Sequence, residues 1–480
     1  MATPARPDSS PTSSTLDLGA RLWTEDLPRE HGFEPLVVEG RLPPELYGTL
    51  YRNGPGQFGQ HGHRYSHPFE ADGAVTAVRL EGNRASGACR VTESAGLVEE
   101  RASGRMLYGF TVPWLRRMSN LFSKRRKNTA NTSVMLWQGR LFALMEGAVP
   151  TEIDPHTLAT LGESDLGGAV VSLFSAHPHR VAARRAIYNF GLEYGRTAQL
   201  HVYELPDAAP ARQLAVIPLP FSPMLHDFIA TDSHLIFFLS PVKVAVPRML
   251  LQLGGFSELF GWHPELGTEV ICVPIDRPTE VVRFTVDAFY QWHFANAYAG
   301  GAGELVIDYV RYPDFGSFGD IGDMARAPRA LNDGRPHRAV IDLIARTLRS
   351  EPLLDRTAEF PTIAARVAGA KHGVTYLALD ELGGVGALDH ATGTLASHIL
   401  PATQRATEPV FVPRPGATRE TDGWLLVLCH DGPTNRAFLA VYDAARLPDG
   451  PLARAWFDHQ VPITFHGTFA AAEPAAITLR

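Results

Sequence analysis

Four histidines of this chain lie in apolar segments, where a folded protein would bury them: His177, His226, His293 and His466. His293 is the clearest case, because it stands directly between Trp292 and Phe294. A buried imidazole must satisfy both ring nitrogens, since an unpaired buried polar group costs about 1–3 kcal/mol. Such a residue is either a core histidine bonded to backbone or a metal ligand whose second nitrogen is held by a carboxylate. Composition and spacing alone do not decide between these alternatives.

The other histidines include several that lie among polar or turn residues. We expect these at the surface: His31, His61, His63, His201, His234 and His337.

The composition excludes several classes of protein. The chain has 480 residues, of which 45% are hydrophobic and 20% charged, with a formal net charge of −7. This is ordinary for a globular protein, and the mild acidity gives no reason to expect a nucleic-acid partner. The three cysteines, Cys89, Cys272 and Cys429, are far apart and form no CxxC motif. They suit a reducing compartment and argue against a disulfide scaffold or a cysteine zinc site.

The chain divides into a short tail and one domain. Residues 1–20 begin with a segment rich in proline, serine and threonine and without an apolar core, which predicts a disordered tail and not a signal peptide. Residues 21–480 are predicted to form a single domain. No uninterrupted apolar run approaches the roughly 20 residues of a spanning helix. We therefore expect a cytoplasmic protein, attached at most peripherally to a membrane surface.

Short apolar runs separated by Gly, Pro, Asn and Asp recur through the chain and predict many short strands. Several of these strands end in an apolar residue followed by Asp, whose side chain can close a turn by accepting backbone N–H groups. The examples are Asp154, Asp276, Asp342, Asp389 and Asp443. Repetition of this device favours a β-propeller, and a pair of large β-sandwiches is the structural alternative.

Two apolar segments differ from this β pattern. Residues 110–127 combine apolar side chains with the basic run Lys124–Lys127, and residues 244–262 form a second, glycine-interrupted apolar segment. Together they could form two apolar lips of an entrance that rests on a bilayer as a monotopic contact. The alternative for each is an ordinary surface helix packed on the core.

Several separated motifs give the chain a family resemblance. They are Gly48–Gly56 (GTLYRNGPG), His67–Gly73 (HPFEADG), Thr129–Thr132 (TANT), His226–Phe228 (HDF), Glu408–Pro415 (EPVFVPRP) and Phe465–Gly467 (FHG). With the four apolar histidines, they resemble the carotenoid cleavage oxygenases, and most closely the bacterial apocarotenoid 15,15′-oxygenase branch. One departure is Ala71, where the family usually has glycine.

The resemblance implies an all-β fold, a seven-bladed β-propeller with a cap of helices and loops over an axial metal. It implies Fe²⁺ held by His177, His226, His293 and His466, each from a different inner strand. Carboxylates behind three of these histidines would be Glu146, Glu359 and Glu408, and His177 is expected to lack such a partner. The pairing of each glutamate with its histidine stays open.

The resemblance also implies an apolar tunnel that leads to the iron. Its matching positions are Phe69, Thr132, Met145, Leu225, Trp292 and Tyr312. Plain core packing is the alternative for the apolar members, whereas Thr132 is expected near the open coordination position. Apolar and aromatic walls suit a polyene, which offers only dispersion contacts and π faces.

The function implied by the resemblance is cleavage of a C=C bond of an apocarotenoid by O₂, which yields two carbonyl products such as retinal-type aldehydes. No catalytic residue beyond the metal ligands is expected. One alternative is a stilbene- or phenylpropenoid-cleaving dioxygenase of the same family. That branch carries a lysine where this chain has Met145, and a thioether cannot ionise a phenol. A non-catalytic carotenoid-binding propeller is the alternative from another class.

Overall fold

The computed structural model describes residue 18 and residues 21–110, 112–123, 126–195, 197–251, 253–323 and 333–472. The predicted tail, residues 1–20, lies outside these residues except for Leu18, whose side chain is buried beside Trp23 and Phe465. The predicted lips, residues 110–127 and 244–262, fall mostly within them.

Strands dominate the described residues. In chain order they are β1 (His31–Pro35), β2 (Val37–Gly40), β3 (Tyr47–Gln57), β4 (Gly59–Gln60), β5 (His63–Arg64), β6 (Asp72–Glu81), β7 (Arg84–Val91), β8 (Ser133–Trp137), β9 (Arg140–Leu144), β10 (Thr151–Ile153), β11 (Thr160–Glu163), β12 (His179–Val181), β13 (Ala186–Glu193), β14 (Ala198–Pro206), β15 (Arg212–Leu219), β16 (Ile229–Ala230), β17 (His234–Leu239), β18 (Val242–Val244), β19 (Phe260–Trp262), β20 (Thr268–Pro274), β21 (Val282–Val286), β22 (Tyr290–Ala299), β23 (Glu304–Tyr312), β24 (Arg335–Asp342), β25 (Thr347–Pro352), β26 (Ala358–Thr362), β27 (Val374–Leu379), β28 (Gly384–Asp389), β29 (Thr394–Ile399), β30 (Gln404–Ala406), β31 (Val410–Pro413), β32 (Gly423–Asp431), β33 (Arg436–Asp443), β34 (Ala453–Trp456) and β35 (His466–Ala471).

Helices are short. The α-helices are α1 (Ala95–Ser103), α2 (Trp114–Phe122), α3 (Val246–Leu251) and α4 (Gly316–Asp323). Single turns of 3₁₀ helix occupy Pro68–Glu70, Ala182–Arg184, Phe256–Leu259, Pro264–Leu266, Ala365–Val367 and Ala444–Asp449. Among the residues that the structure describes, no helix has both the length and the apolar character needed to cross a bilayer.

Most of the strands form seven antiparallel sheets, which are the blades of a β-propeller. Their orders are β1-β7-β6-β3-β35 (blade 1), β11-β10-β9-β8 (blade 2), β12-β13-β14-β15 (blade 3), β16-β17-β20-β21 (blade 4), β22-β23-β24-β25 (blade 5), β26-β27-β28-β29 (blade 6) and β2-β34-β33-β32-β30, where β31 also pairs with β32 (blade 7). The predicted seven-bladed all-β fold is confirmed.

Blade 1 closes the ring. Its edge strand β35 pairs antiparallel with β3, which places Asn53 opposite His466 and Gly48 opposite Ala471. Blade 7 likewise combines the early strand β2 with strands near residue 450. The apolar core lies between neighbouring blades. One cluster, for example, joins Tyr188 and Leu200 of blade 3 to Leu235 and Phe237 of blade 4. This packing fixes the blades relative to one another, and therefore fixes the loops and inner strands near the axis.

The aspartate turns behave as predicted at four of the five positions. Asp154, Asp342 and Asp389 each accept two backbone N–H groups within the next three residues, and Asp443 accepts the N–H of Ala445. Asp276 is the exception, because its carboxylate pairs with the guanidinium of Arg184 from blade 3.

Two of the histidines expected at the surface are buried instead. His31 packs against Phe457 and His459, and His201 sits between Gln213 and Glu193, which satisfy its two nitrogens. Polar neighbours in sequence did not predict exposure, because side chains that are distant in sequence cover both rings: residues that follow β34 of blade 7 cover His31, and the neighbouring strands of its own blade cover His201. Ala71 has φ −68°, so alanine replaces the usual glycine there without backbone strain.

Candidate metal centre

The four apolar histidines converge near the propeller axis. His293 lies on β22 and His466 begins β35, whereas His177 and His226 lie in the segments that enter β12 and β16. They therefore come from four different blades, although only two stand within strands. One nitrogen from each ring can be chosen so that all four lie within 4.8 Å of one another. The centroid of the His177 ring lies 4.2 Å from the centroid of the His226 ring and 4.6 Å from that of the His466 ring.

The strand that carries His293 is irregular at this point. The register of β22 against β23 shifts between Gln291 and Phe294, and again between Phe294 and Asn296. Each shift inserts an extra residue in β22, and such bulges re-aim a side chain and release backbone groups from the ladder. The Phe360 ring then stacks on His293 at a centroid distance of 5.1 Å. Phe360 itself has φ +51°, a strained conformation for a non-glycine residue and one that is common at functional sites.

Each of the three predicted glutamates lies behind one histidine. Nδ1–H of His293 donates to Glu359 at 2.5 Å and Nδ1–H of His466 donates to Glu408 at 2.8 Å, while Glu146 Oε1 lies 2.7 Å from Nδ1 of His226. The Glu146 contact is close but bent away from the line of the ring N–H. A carboxylate on Nδ1 fixes the tautomer and turns Nε2 toward the shared centre. The structure thus places Glu146 beside His226, Glu359 beside His293 and Glu408 beside His466, a pairing that the sequence left open.

The environment keeps these carboxylates ionised. Burial by itself would raise the pKa of Glu359, but His293 and the hydroxyl of Tyr312 hold this pKa below its usual value. The pKa of Glu408 is likewise lowered, against the effect of burial, by His466 and Arg52. Burial and the neighbouring imidazoles lower the pKa of His177 well below its usual value, so this ring is neutral and able to bind a metal.

Arg52 is a site residue that the sequence did not single out. Its side chain is 1% exposed and its guanidinium donates to Glu408 at 2.5 Å, to the Phe465 carbonyl and to the Thr464 hydroxyl. Glu408 also accepts the N–H of Gly467. A buried charge needs a buried partner, so an arginine in the middle of the buried strand β3 requires a facing carboxylate.

His177 differs from the other three histidines. The nearest carboxylate oxygen, Oδ1 of Asp227, lies 3.9 Å from its Nδ1, too far for a direct hydrogen bond. Its Nε2 is buried and has no hydrogen-bond partner among the described residues. A metal ion bound between the four imidazoles would give Nε2 of His177 the partner that it lacks among the described residues. This donor set, four neutral nitrogens with three carboxylates behind them, suits a divalent transition metal.

A large cavity of about 1020 Å³ reaches three of the four histidines, His226, His293 and His466. Five of the six predicted tunnel residues line it, namely Phe69, Thr132, Met145, Trp292 and Tyr312. Trp292 stands edge-on to the His226 ring at 4.8 Å. The phenol of Tyr312 also donates to Glu359, so this residue serves both the cavity and the carboxylate. Leu225 does not line the cavity, and the expectation for it is corrected: it is 3% exposed and packs in the core between blades 3 and 4.

The two apolar lips flank this cavity. Helices α2 and α3 are in contact, and cavity-lining residues come from both segments, including Phe110, Asn120 and Met249. Trp114 and Phe122 of α2 are 63% and 81% exposed. The segments therefore present apolar side chains to the outside beside the cavity.

A second histidine cluster has a different character. His372 and His390 face Asp308, but Arg338 binds both oxygens of this carboxylate at 2.7 Å. Because the guanidinium already neutralises Asp308, this cluster joins blades 5 and 6 as an internal ion-pair network.

A seven-bladed propeller with four axial histidines defines the class of the carotenoid cleavage oxygenases. The family model described as "RPE65: Retinal pigment epithelial membrane protein" matches residues 25–471, and the chain belongs to this family of enzymes. The chain is 31% identical to the apocarotenoid-15,15′-oxygenase of Synechocystis, over 92% of this chain and 94% of that protein. It is 28% identical to resveratrol cleavage oxygenase 1 of Aspergillus fumigatus, over 86% and 88%. The solved structure of cobalt-substituted Synechocystis ACO superposes with a TM-score of 0.86 at 30% identity, covering 95% of this chain and 99% of that one.

Proposed function

We propose that this protein is an iron(II) dioxygenase that cleaves a C=C bond of an apocarotenoid with O₂, giving two aldehydes, one of them retinal-like. The observation that carries the proposal is the convergence of four imidazoles, three of which (His226, His293 and His466) line a large apolar cavity. The similarity to the Synechocystis enzyme supports the substrate class.

Iron fits the donor set better than zinc. His177, His226, His293 and His466 would hold iron(II), which accepts more ligands than four imidazoles supply, whereas zinc favours a closed tetrahedral site when it has four protein ligands. When bound, iron(II) would supply the capacity to bind and activate O₂ beside the substrate. Glu146, Glu359 and Glu408 balance its charge and keep each Nε2 turned inward.

The reaction itself requires no proton donor or acceptor from the protein. The double bond breaks and each of its two carbons receives one oxygen atom of O₂, so atoms balance without a proton entering or leaving. This agrees with a cavity in which the carboxylates nearest the histidines are already engaged by hydrogen bonds. The protein's part is to orient the polyene and to exclude water. Thr132, whose hydroxyl is directed to Asn131 and Glu146, narrows the space next to His226.

Depth of insertion would select the bond. A polyene is a rigid rod whose double bonds repeat along its length, so the walls that stop it decide which bond lies beside the histidines. Trp292 stands next to His226 and Phe69 is in edge-to-face contact with Trp292 at 6.3 Å, so the two form such a wall. Aromatic faces bind a conjugated chain by dispersion and π contact.

The direct test loads the apoprotein with Fe²⁺ without O₂, adds an apocarotenal in micelles and then admits air. Loss of polyene absorbance together with two aldehydes identified by mass spectrometry is expected. An unaltered polyene with iron fully bound would refute the proposal. His293→Ala, which removes one imidazole, provides the inactive control.

Cleavage of a stilbene is the second candidate, because a resveratrol cleavage oxygenase is among the relatives. Position 145 gives a phenol no cationic partner. Met145 lies beside Glu146, and its sulfur accepts hydrogen bonds from the N–H and hydroxyl of Thr129. The one amine on the cavity wall among the described residues, Lys127, already binds Asp72, Glu100 and the Tyr65 hydroxyl. Neither residue offers a free cation for a phenolate.

The exposed side chains of α2 and α3 support a peripheral membrane contact. Apolar substrates partition into bilayers, and a cavity opening among apolar lips could take them up without passage through water. The cationic residues Arg116 and Arg117 of α2 would face anionic lipid headgroups at the same surface.

A further inference from the structure

Asp227 is a buried carboxylate that follows the ligand His226 directly and is 1% exposed. Its Oδ1 accepts Nε2–H of His179 at 2.8 Å and the N–H of Phe228 at 2.8 Å. Its Oδ2 accepts the N–H of Phe294 at 2.9 Å. All three hydrogen bonds are donated to the carboxylate, which as an anion accepts them strongly.

The three donors belong to three different blades. His179 is on β12 of blade 3, Phe228 leads into β16 of blade 4 and Phe294 is on β22 of blade 5. Each stands one or two residues from a histidine of the metal centre, namely His177, His226 and His293. One side chain thus connects the backbones that carry three of the four imidazoles.

The bulges around His293 make the third link possible. The shifted register frees the N–H of Phe294 from the sheet, and this N–H then reaches Asp227 across the blade boundary. Ser175 adds a parallel link between the other two blades, because its hydroxyl accepts the N–H of His177 and donates to the His226 carbonyl. The fourth histidine depends on a separate anchor, Glu408, which binds both His466 and the N–H of Gly467.

We propose that Asp227 is a positioning residue that holds His177, His226 and His293 at the mutual distances the metal requires, although it lies on none of their metal-facing nitrogens. In this way His177, which lacks a carboxylate on its own ring, is placed through its neighbour His179. The inference rests on the metal centre of the proposed function and adds a fourth carboxylate to the three glutamates.

The test is titration of the full-length apoprotein with Co²⁺ without O₂, followed by visible absorption, whose intensity and shape report the arrangement of the ligands. In Asp227→Asn the amide oxygen can replace Oδ1 for two donors, but its NH₂ group then opposes the N–H of Phe294. Residues behind metal ligands typically change affinity by about 10–100-fold. We expect a loss in that range, together with an altered spectrum of the Co²⁺ complex. His179→Gln removes the blade 3 link alone, so a smaller loss is expected.

Asp308→Asn is the matched control, because Asp308 is 2% exposed, joins neighbouring blades and lies outside the metal centre. It should lower the thermal midpoint and leave Co²⁺ affinity and spectrum unchanged. Unaltered affinity and spectrum in Asp227→Asn would overturn the inference, as would an equal loss in Asp308→Asn. If Asp227→Asn does not fold, His179→Gln decides: wild-type affinity and spectrum in this variant would overturn the inference. Failure of the unaltered protein to bind Co²⁺ would instead refute the metal centre of the proposed function.

Discussion

Replacement of Glu408 by glutamine should reduce stability and metal affinity for two separate reasons. The side chain of Arg52 is 1% exposed, and its buried partner of opposite charge is Glu408, at 2.5 Å. Leaving one member of a buried ion pair uncompensated costs about 3–5 kcal/mol. Nδ1 of His466 also loses its carboxylate, which should weaken metal binding about 10–100-fold, or about 1.4–2.7 kcal/mol.

A second substitution separates the two effects. In the double variant Glu408→Gln, Arg52→Met neither member of this buried ion pair is charged, so most of the lost stability should return. Arg52 also donates to the Phe465 carbonyl and the Thr464 hydroxyl, and each lost hydrogen bond costs about 1 kcal/mol. The double variant should therefore remain about 1–2 kcal/mol below the wild type, while metal affinity stays as low as in the single variant.

The assay combines urea denaturation of the apoproteins with Co²⁺ titration of the same samples. The effects of the two substitutions on the urea midpoint should therefore be non-additive, whereas their effects on Co²⁺ affinity should be additive. Recovery of metal affinity together with stability in the double variant would refute the reasoning, because Glu408 would then act only by keeping the fold intact.

Three further predictions concern other parts of the molecule. Met145→Lys should raise the ratio of resveratrol cleavage to apocarotenal cleavage, measured by product analysis, and an unchanged ratio would count against a role of this position in substrate choice. Burial would raise the pKa of Asp308, but Arg338 and His372 hold this pKa below its usual 3.8, so its contribution to stability is present above that pH and is lost as the pH falls below it. Asp308→Asn should therefore flatten the loss of stability as the pH falls below 3.8 in acid titrations, and an unchanged acid limb would contradict the ion-pair assignment. Phe122→Asp should reduce flotation with liposomes but preserve activity on micellar substrate, whereas Ile344→Asp, at an 83% exposed position on blade 5, should leave both flotation and activity unchanged; equal flotation of both variants would exclude α2 as the contact.

The sequence predicted the parts of the fold that local patterns encode. Asp154 and Asp389 close their turns as expected, because an aspartate and the N–H groups that it accepts are within three residues of each other. The four histidines were selected by apolar neighbours and then by family motifs, and both signals lie within a few residues. These features depend on short-range chemistry, which a single sequence displays.

Features that depend on the packing of one blade against the next were not predictable. Glu359 reaches His293 across 66 residues of sequence, and only the docking of blades 5 and 6 brings them together. The packing of blade 3 against blade 4 likewise decides that Leu225 faces the core and not the cavity, since one apolar side chain serves either place equally well. The bulges of β22 likewise leave no mark in the sequence, because they arise where the strand must aim His293 at the axis.

The closing strand β35 has a consequence for biosynthesis. His466 is its first residue, and the partner strand β3 leaves the ribosome more than 400 residues earlier. Until β35 is made, the nascent propeller has an open seam between blades 1 and 7 and lacks one of its four imidazoles. The four histidines therefore come together only after β35 has paired with β3, so the growing chain cannot bind metal with the complete ligand set before that step. In a cell, a molecule with bound metal would then be one in which β35 has paired with β3 and the ring of blades is closed.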